Sequence, residues 1–485
     1  MKVEQIYTGC LAEAAYYIES EGEAVIIDPL RETGPYLEKL QQSGATLKYI
    51  FETHFHADFV SGHLDLAKAT GATIVYGPKA ETAFDKKEAA DGEELRVGAV
   101  TFKVLHTPGH TPESTTYLLR DASGTDYAIF TGDTLFIGDV GRPDLAQKAG
   151  SVTKEDLAGW LFDSLRQKIM VLGDDVLVYP GHGAGSACGK NMSSETWDTL
   201  GRQKMTNYAL RSDMTKEEFI EEVTAGLAPP PQYFAKNAKL NKSGYGSFEK
   251  VLERGAVALA VDDFEYIVEQ EGALVLDTRH QDAFKEGFIP NSIFIGLDGS
   301  FAPWVGALIP DLQQPIVFLA EAGREEEVVT RLSRVGYDNT LGYLEGGMST
   351  WKAAGKEVDT VDSTTVSELA ERLAKGEATT VVDVRKPSEF LAQHVVDAQN
   401  FPLDYINANM DKLDKKQTYY LHCKGGYRSM ITASILKSRG FDNLVDIQLG
   451  WNELEQNDGI PKTEYVCPTT IPQETLDQAM DEVLS

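Results

Sequence analysis

LKYIFETHFHADF (47–59) opens as a β run from Leu47 to Phe51, then sets His54, His56 and Asp58 on alternate positions just past its end. Three further runs close in the same manner. VTFKVLHTPGH (100–110) ends on His110, DYAIFTGD (126–133) on Asp133 and DVLVYPGH (175–182) on His182. Together with AVIIDPL (24–30) and ATIVYG (72–77) these are runs rich in Val, Ile, Phe and Tyr, separated by polar turns and helical stretches. Six potential ligands at the ends of four strands describe a site carried on loops by a rigid sheet. Satisfied loop histidines and turn-forming aspartates account for one or two of them, not for the set.

These residues resemble the metallo-β-lactamase superfamily, whose signature is HxHxDH followed by His, Asp and His on later loops. The resemblance covers about the first 230 residues. It implies an αββα sandwich, two sheets covered by helices, with metal at one edge. One departure is informative: Phe59 stands where the sixth signature position is His. Phenylalanine cannot ligate, which leaves a second metal position with Asp58, His182 and any bridging Asp133, and favours a mononuclear centre. The persulfide dioxygenases of the superfamily bind one Fe(II) through two histidines and an aspartate. Carried over, the iron ligands are His54, His110 and Asp133, a facial triad that leaves positions open for dioxygen and a substrate sulfur. His56, Asp58 and His182 then orient ligands or bound water. A tetrahedral zinc hydrolase using His54, His56 and His110 remains compatible with the spacing. By its placement, Tyr179 resembles an active-site tyrosine of the dioxygenases, with core aromatic as the plain alternative. Arg142, nine residues past Asp133, matches a family arginine that meets substrate; a loop salt bridge is the other reading. Cys188, in GSACGK close after His182, reads as a small buried side chain, with a redox-sensitive thiol as the alternative. Asp28, His63 and His106 read as a turn cap, a helix-face residue and a strand-end residue.

Residues 236–255 read as a connector, and beyond them the chain repeats itself. ALVLDTRHQDAF (273–284) matches TVVDVRKPSEF (380–390), VGYDN (335–339) matches RGFDN (439–443), and Gly347 matches Gly450. Two tandem units of roughly 100 residues, each alternating strand and helix, imply small α/β domains with parallel sheets. In the second unit LHCKGGYRS (421–429) puts Cys423 at a strand's end, in a glycine loop leading into a helix. Converging N–H groups, a helix N-terminus and Arg428 suit an anionic sulfur. The pattern Cys423-x-x-Gly426-x-Arg428, with Asp383, Arg385, Glu389-Phe390 and His394, resembles the rhodanese-type sulfurtransferases. The resemblance implies a Cys423 persulfide, with Gly426, Asp383 and Arg385 at the substrate side; Asp383 and Arg385 also read as a structural pair. The first unit keeps Gly323 and Arg324 in FLAEAGREEE (318–327) but has no cysteine, so it reads as a spacer or docking surface.

Length and charge bound the rest. The chain has 485 residues, long enough for several domains, with 42% hydrophobic and 25% charged residues. Lys+Arg 45 against Asp+Glu 75 leaves a net charge of −30, which repels phosphate backbones and anionic lipid. Nucleic-acid and membrane partners are therefore not expected. Four cysteines without CxxC spacing (Cys10, Cys188, Cys423, Cys467) fit reduced thiols in the cytoplasm. The expected organisation is α/β throughout: a metal-site domain over 1–250, a cysteine-less repeat over 258–360 and a competent repeat over 361–475. The expected activity is persulfide dioxygenase with thiosulfate sulfurtransferase. Its expected partners are a low-molecular-weight thiol persulfide, dioxygen, and thiosulfate or sulfite. One Fe(II) per chain is expected, zinc being the alternative, and relatives of this kind are often homo-oligomers.

Overall fold

The computed structural model describes residues 1–147, 151–190, 192–227 and 229–484. The chain divides into two compact units, Met1–Lys250 with Thr330–Asp338, and Val251–Val329 with Asn339–Ser485. Among the described residues no helix is long and apolar enough to cross a membrane.

The first unit is built on two six-stranded sheets. One runs in sequence order from β1 (Lys2–Thr8) through β2 (Glu13–Ser20), β3 (Glu23–Ile27), β4 (Thr46–Phe51) and β5 (Thr73–Tyr76) to β6 (Lys87–Glu88). The other has the order β12-β11-β10-β9-β8-β7, comprising β7 (Glu94–Val97), β8 (Val100–His106), β9 (Thr115–Arg120), β10 (Asp126–Gly132), β11 (Leu177–Pro180) and β12 (Asp198–Thr199). Strand alternation sends one set of side chains inward from each sheet. Tyr16, Ile18, Val25, Ile27 and Phe51 of the first sheet meet Phe102, Val104, Tyr117, Leu119 and Phe130 of the second. The opposite faces are apolar too, because helices cover them. Tyr17, Ile26, Ile50 and Ile74 pack on Tyr36, Leu40 and Leu66, while Leu118, Ile129 and Val178 pack on Ala158, Leu161, Leu165 and Phe219. The result is the αββα sandwich. β4, β8, β10 and β11 all deliver their chain ends to the loops bearing the signature residues.

The stretch read as a connector is helical instead, with helices Phe234–Ser243 and Phe248–Gly255. Its polar composition hid a packing role. Asn241, fully buried, donates through Nδ2 to the carbonyls of His56 (2.8 Å) and Phe59 (2.7 Å) and accepts the Ser61 N–H at 2.9 Å. One side chain thus ties down the loop that carries the signature.

The second unit contains two five-stranded, all-parallel sheets. In the first, β13 (Ala258–Leu259), β14 (Leu274–Asp277), β15 (Ile293–Phe294), β16 (Ile316–Leu319) and β17 (Thr340–Leu344) lie in the order β13-β17-β16-β14-β15. In the second, β18 (Asp362–Thr364), β19 (Thr380–Asp383), β20 (Gln399–Asn400), β21 (Tyr419–His422) and β22 (Leu444–Ile447) take the same places, β18-β22-β21-β19-β20. The repeat extends to side chains. Arg279 grips Asp277 and the Gly287 carbonyl, and Arg385 grips Asp383 and the Gln393 carbonyl, through the same atoms.

Candidate metal centre and sulfur-transfer loop

His54 is the third residue past β4, His110 leaves the turn after β8, and Asp133 follows β10 directly. All three are buried, and their ligand atoms lie within 4.8 Å of one another. Hydrogen bonds fix which atoms face inward. The Thr53 hydroxyl donates to Asp28 at 2.8 Å, so at 2.9 Å it accepts from His54 Nδ1–H. His110 Nδ1–H donates to the Arg142 carbonyl at 2.9 Å. Both rings therefore turn Nε2 inward, at 3.8 and 3.5 Å from Asp133 Oδ2. Burial and the neighbouring His56 hold the His54 pKa well below the usual range for histidine. Two imidazole nitrogens and a carboxylate oxygen converge, a donor set that suits a cation. Glycines make room for it: a Cβ on Gly181 would stand 2.8 Å from Asp133 Oδ1, and one on Gly141 would strike the Asp133 carbonyl.

His56 is not part of this convergence. Its Nε2 faces Asp28 at 3.1 Å and Glu52 at 3.5 Å, and His63 stands 3.4 Å from Glu52 on the other side. Burial alone would raise the Glu52 carboxyl, but the His63 and His56 imidazoles hold it down to about 2. Against burial, the Asp28 and Glu52 carboxylates push His56 well above its ordinary range. Asp28 is thus more than a turn cap, and His63 is buried against Glu52. His182 bridges two carboxylates, Nδ1 to Asp133 Oδ1 and Nε2 to Asp58 Oδ2, each at 2.7 Å. Cys188 lies within 4.8 Å of the Asp58 and His182 ligand atoms. Burial and the two aspartates push its thiol well up. Phe59 is fully buried, its ring 4.2 Å from that of His56 and 6.5 Å from that of His182.

Arg142 meets Asp144 in a two-pronged ion pair (2.7 and 2.8 Å), and its backbone carbonyl, not its guanidinium, serves the triad. Tyr179 sits half-buried in an aromatic stack with Phe130 and Tyr16, ring centroids 5.4 Å away in both cases. His106 Nε2–H donates to the Pro112 carbonyl at 3.0 Å, at the end of β8.

In the second repeat Cys423 is buried directly after β21, and Gly426 N–H lies 3.2 Å from its Sγ. Gly426 has φ +94°, a left-handed conformation that opens helix Tyr427–Lys437. Arg428 holds Glu389 with both terminal nitrogens (2.6 and 2.9 Å), and those charges fix it beside the loop. Asp383 and Arg385 are buried against each other, and the Arg385 guanidinium covers the Trp451 ring at 4.2 Å. His394 stacks on Phe390 at 3.6 Å. Trp451 N–H donates to the Cys423 carbonyl at 2.7 Å. The loop of the first repeat keeps its shape, with Gly323 at φ +86°, but Arg324 is spent on Asp298 and Glu327.

Comparison with known proteins agrees with both halves. The Metallo-beta-lactamase superfamily model matches residues 8–182, and the Rhodanese-like domain model matches residues 260–354 and again 365–457. Persulfide dioxygenase ETHE1, mitochondrial, of Homo sapiens is 29% identical over 218 residues, 43% of this chain and 74% of that protein. Hydroxyacylglutathione hydrolase of Tolumonas auensis is 35% identical over 171 residues, 34% of this chain and 60% of that protein. The crystal structure of a metallo-beta-lactamase from Staphylococcus aureus subsp. aureus COL superposes with a TM-score of 0.62 at 31% identity, covering 71% of this chain and 98% of its own. The chain belongs to the metallo-β-lactamase superfamily through its first domain and carries two rhodanese-like domains after it.

Proposed function

We propose that the chain is an iron-dependent persulfide dioxygenase coupled to a sulfurtransferase. The observation that carries this reading is the division of labour among the histidines. His54 and His110 turn Nε2 toward one oxygen of Asp133, while His56 is engaged with Asp28 and Glu52. Two histidines and one carboxylate suit Fe(II) with open positions, whereas a hydrolytic zinc site of three histidines needs His56 as well. Bound iron would supply the redox centre at which a persulfide, dioxygen and water become a thiol, sulfite and two protons. The protein's own residues position that centre. Thr53 and the Arg142 carbonyl orient the two rings, and His182 holds Asp133 by its other oxygen.

At Cys423 the proposed step is attack by the thiolate on the outer sulfur of thiosulfate. The S–S bond of thiosulfate breaks, sulfite leaves with the electron pair, and the sulfur remains as Cys423–S–S⁻ beside the Gly426 N–H and Arg428. A thiol acceptor then removes it as a new persulfide, substrate for the first domain. Tethering the two sites raises the local concentration of that intermediate.

The similarity to hydroxyacylglutathione hydrolases supports a second reading, a zinc thioester hydrolase fused to the same sulfurtransferase. Metal analysis of the protein as expressed separates the two: iron with the triad intact supports the first, zinc the second.

A further inference from the structure

The repeat without a cysteine touches the loop of the one that has it. Gln281, at the start of helix Gln281–Lys285 in the first repeat, donates through Nε2 to the Gly425 carbonyl at 3.2 Å. That carbonyl belongs to the same peptide group as the Gly426 N–H, which points at Cys423 Sγ from 3.2 Å. The two hydrogen bonds therefore hold opposite ends of one peptide plane. A plane between two glycines turns over easily, because neither flanking residue restricts it. A donor on its oxygen opposes that flip and polarises the N–H facing the sulfur. One residue further along, the Tyr427 hydroxyl donates to the Gly296 carbonyl of the first repeat at 2.7 Å, and its ring lies where any side chain on Gly299 would stand. The repeats also lock through Phe294 N–H to Ser434 Oγ (2.9 Å) and Lys437 to Asp359 (2.9 Å). At the position equivalent to Gln281 the second repeat has Pro387, which carries no amide donor.

We propose that the cysteine-less repeat is a working wall of the sulfur-transfer site, with Gln281 a positioning residue that sets the Gly425–Gly426 peptide for Cys423. This replaces the spacer role read from the sequence and rests on Cys423 being the sulfur carrier.

The test uses the full chain with Gln281→Ala, Gln281→Glu and Gln281→Lys. Three readouts are taken: thiosulfate-to-thiol transfer, the pH profile of Cys423 alkylation followed by mass spectrometry, and the melting midpoint. Gln281→Ala should lower kcat by about tenfold with little change in KM and move the alkylation midpoint to higher pH. Gln281→Glu, which sets a carboxylate against the carbonyl, should be worse, and Gln281→Lys, which retains an N–H donor, should recover most of the rate. Oxygen uptake by the first domain should be unaffected. Wild-type turnover and alkylation in the Ala and Glu variants overturn the proposal, as does equal loss in all three variants with a lowered melting midpoint. Cys423→Ser is the control: if transfer survives in it, the carrier reading fails, whatever the Gln281 variants do.

Discussion

His182 and Asp133 are joined through one carboxylate oxygen only. Nδ1 of the imidazole lies 2.7 Å from Asp133 Oδ1, while Oδ2 has no hydrogen-bond partner among the described residues and faces His54 and His110. Against burial, the Asp133 and Asp58 carboxylates raise His182 well above its ordinary range, so a cation braces the back of the ligand. Replacing His182 with Asn should free Asp133 to rotate. The expected result is iron affinity lower by about 10–100-fold with the fold intact, checked by equilibrium competition against a chelator. Unchanged affinity would show that His182 does not position the ligand.

Asn241 makes a second prediction. Its amide satisfies His56, Phe59 and Ser61 backbone groups inside the protein. Asn241→Ala strands them and should cost on the order of 3 kcal/mol of stability, read from denaturant unfolding. Iron retention should fall as well, since the loop it anchors carries His54. A loss below about 0.5 kcal/mol would mean the loop holds itself.

How much of this was legible in the sequence depends on what held each residue in place. The convergence of His54, His110 and Asp133 was readable because each follows a β run; β8 and β10, both antiparallel to the β9 strand between them, end at one edge of the second sheet, and β4 brings His54 from the first. The repeat was readable from Asp277–Arg279 and Asp383–Arg385. The turning of His56 toward Asp28 and Glu52 was not, because a buried polar group's partner is chosen by packing between strands. Asn241 was hidden for the same reason: its stretch has the composition of a linker, and only the packed helix shows its target. Gln281 gave no signal, since its partner lies 144 residues along the chain.

Gly450 is predicted to matter for one activity only. A Cβ there would collide with the Cys423 carbonyl, and φ is +52°. Gly450→Ala should displace the loop and reduce sulfur transfer by at least about tenfold while oxygen uptake persists. Wild-type transfer rates would show that the loop tolerates the shift.

Asp446 supplies the pH dependence. Burial lifts its carboxyl from 3.8 to about 6, in spite of the Ser429 hydroxyl that donates to Oδ1 at 2.8 Å. Between those values the folded protein binds more protons at this group than the unfolded one, so this contribution to stability falls as pH rises. Above the folded value the penalty is complete, about 3 kcal/mol at most. Asp446→Asn keeps the acceptor and removes the charge. It should be the more stable protein near neutral pH and equal to wild type at the acid end, as thermal unfolding across that range would reveal. A constant difference at every pH would contradict the assignment.

The most direct test of the central claim is oxygen consumption by anaerobically purified protein loaded with Fe(II) and supplied with glutathione persulfide. The account predicts rapid uptake with sulfite formed in equal amount, abolished by His54→Ala or Asp133→Ala and spared by Cys423→Ser. Thioester hydrolysis by zinc-loaded protein, with no oxygen consumed by the iron form, would contradict it.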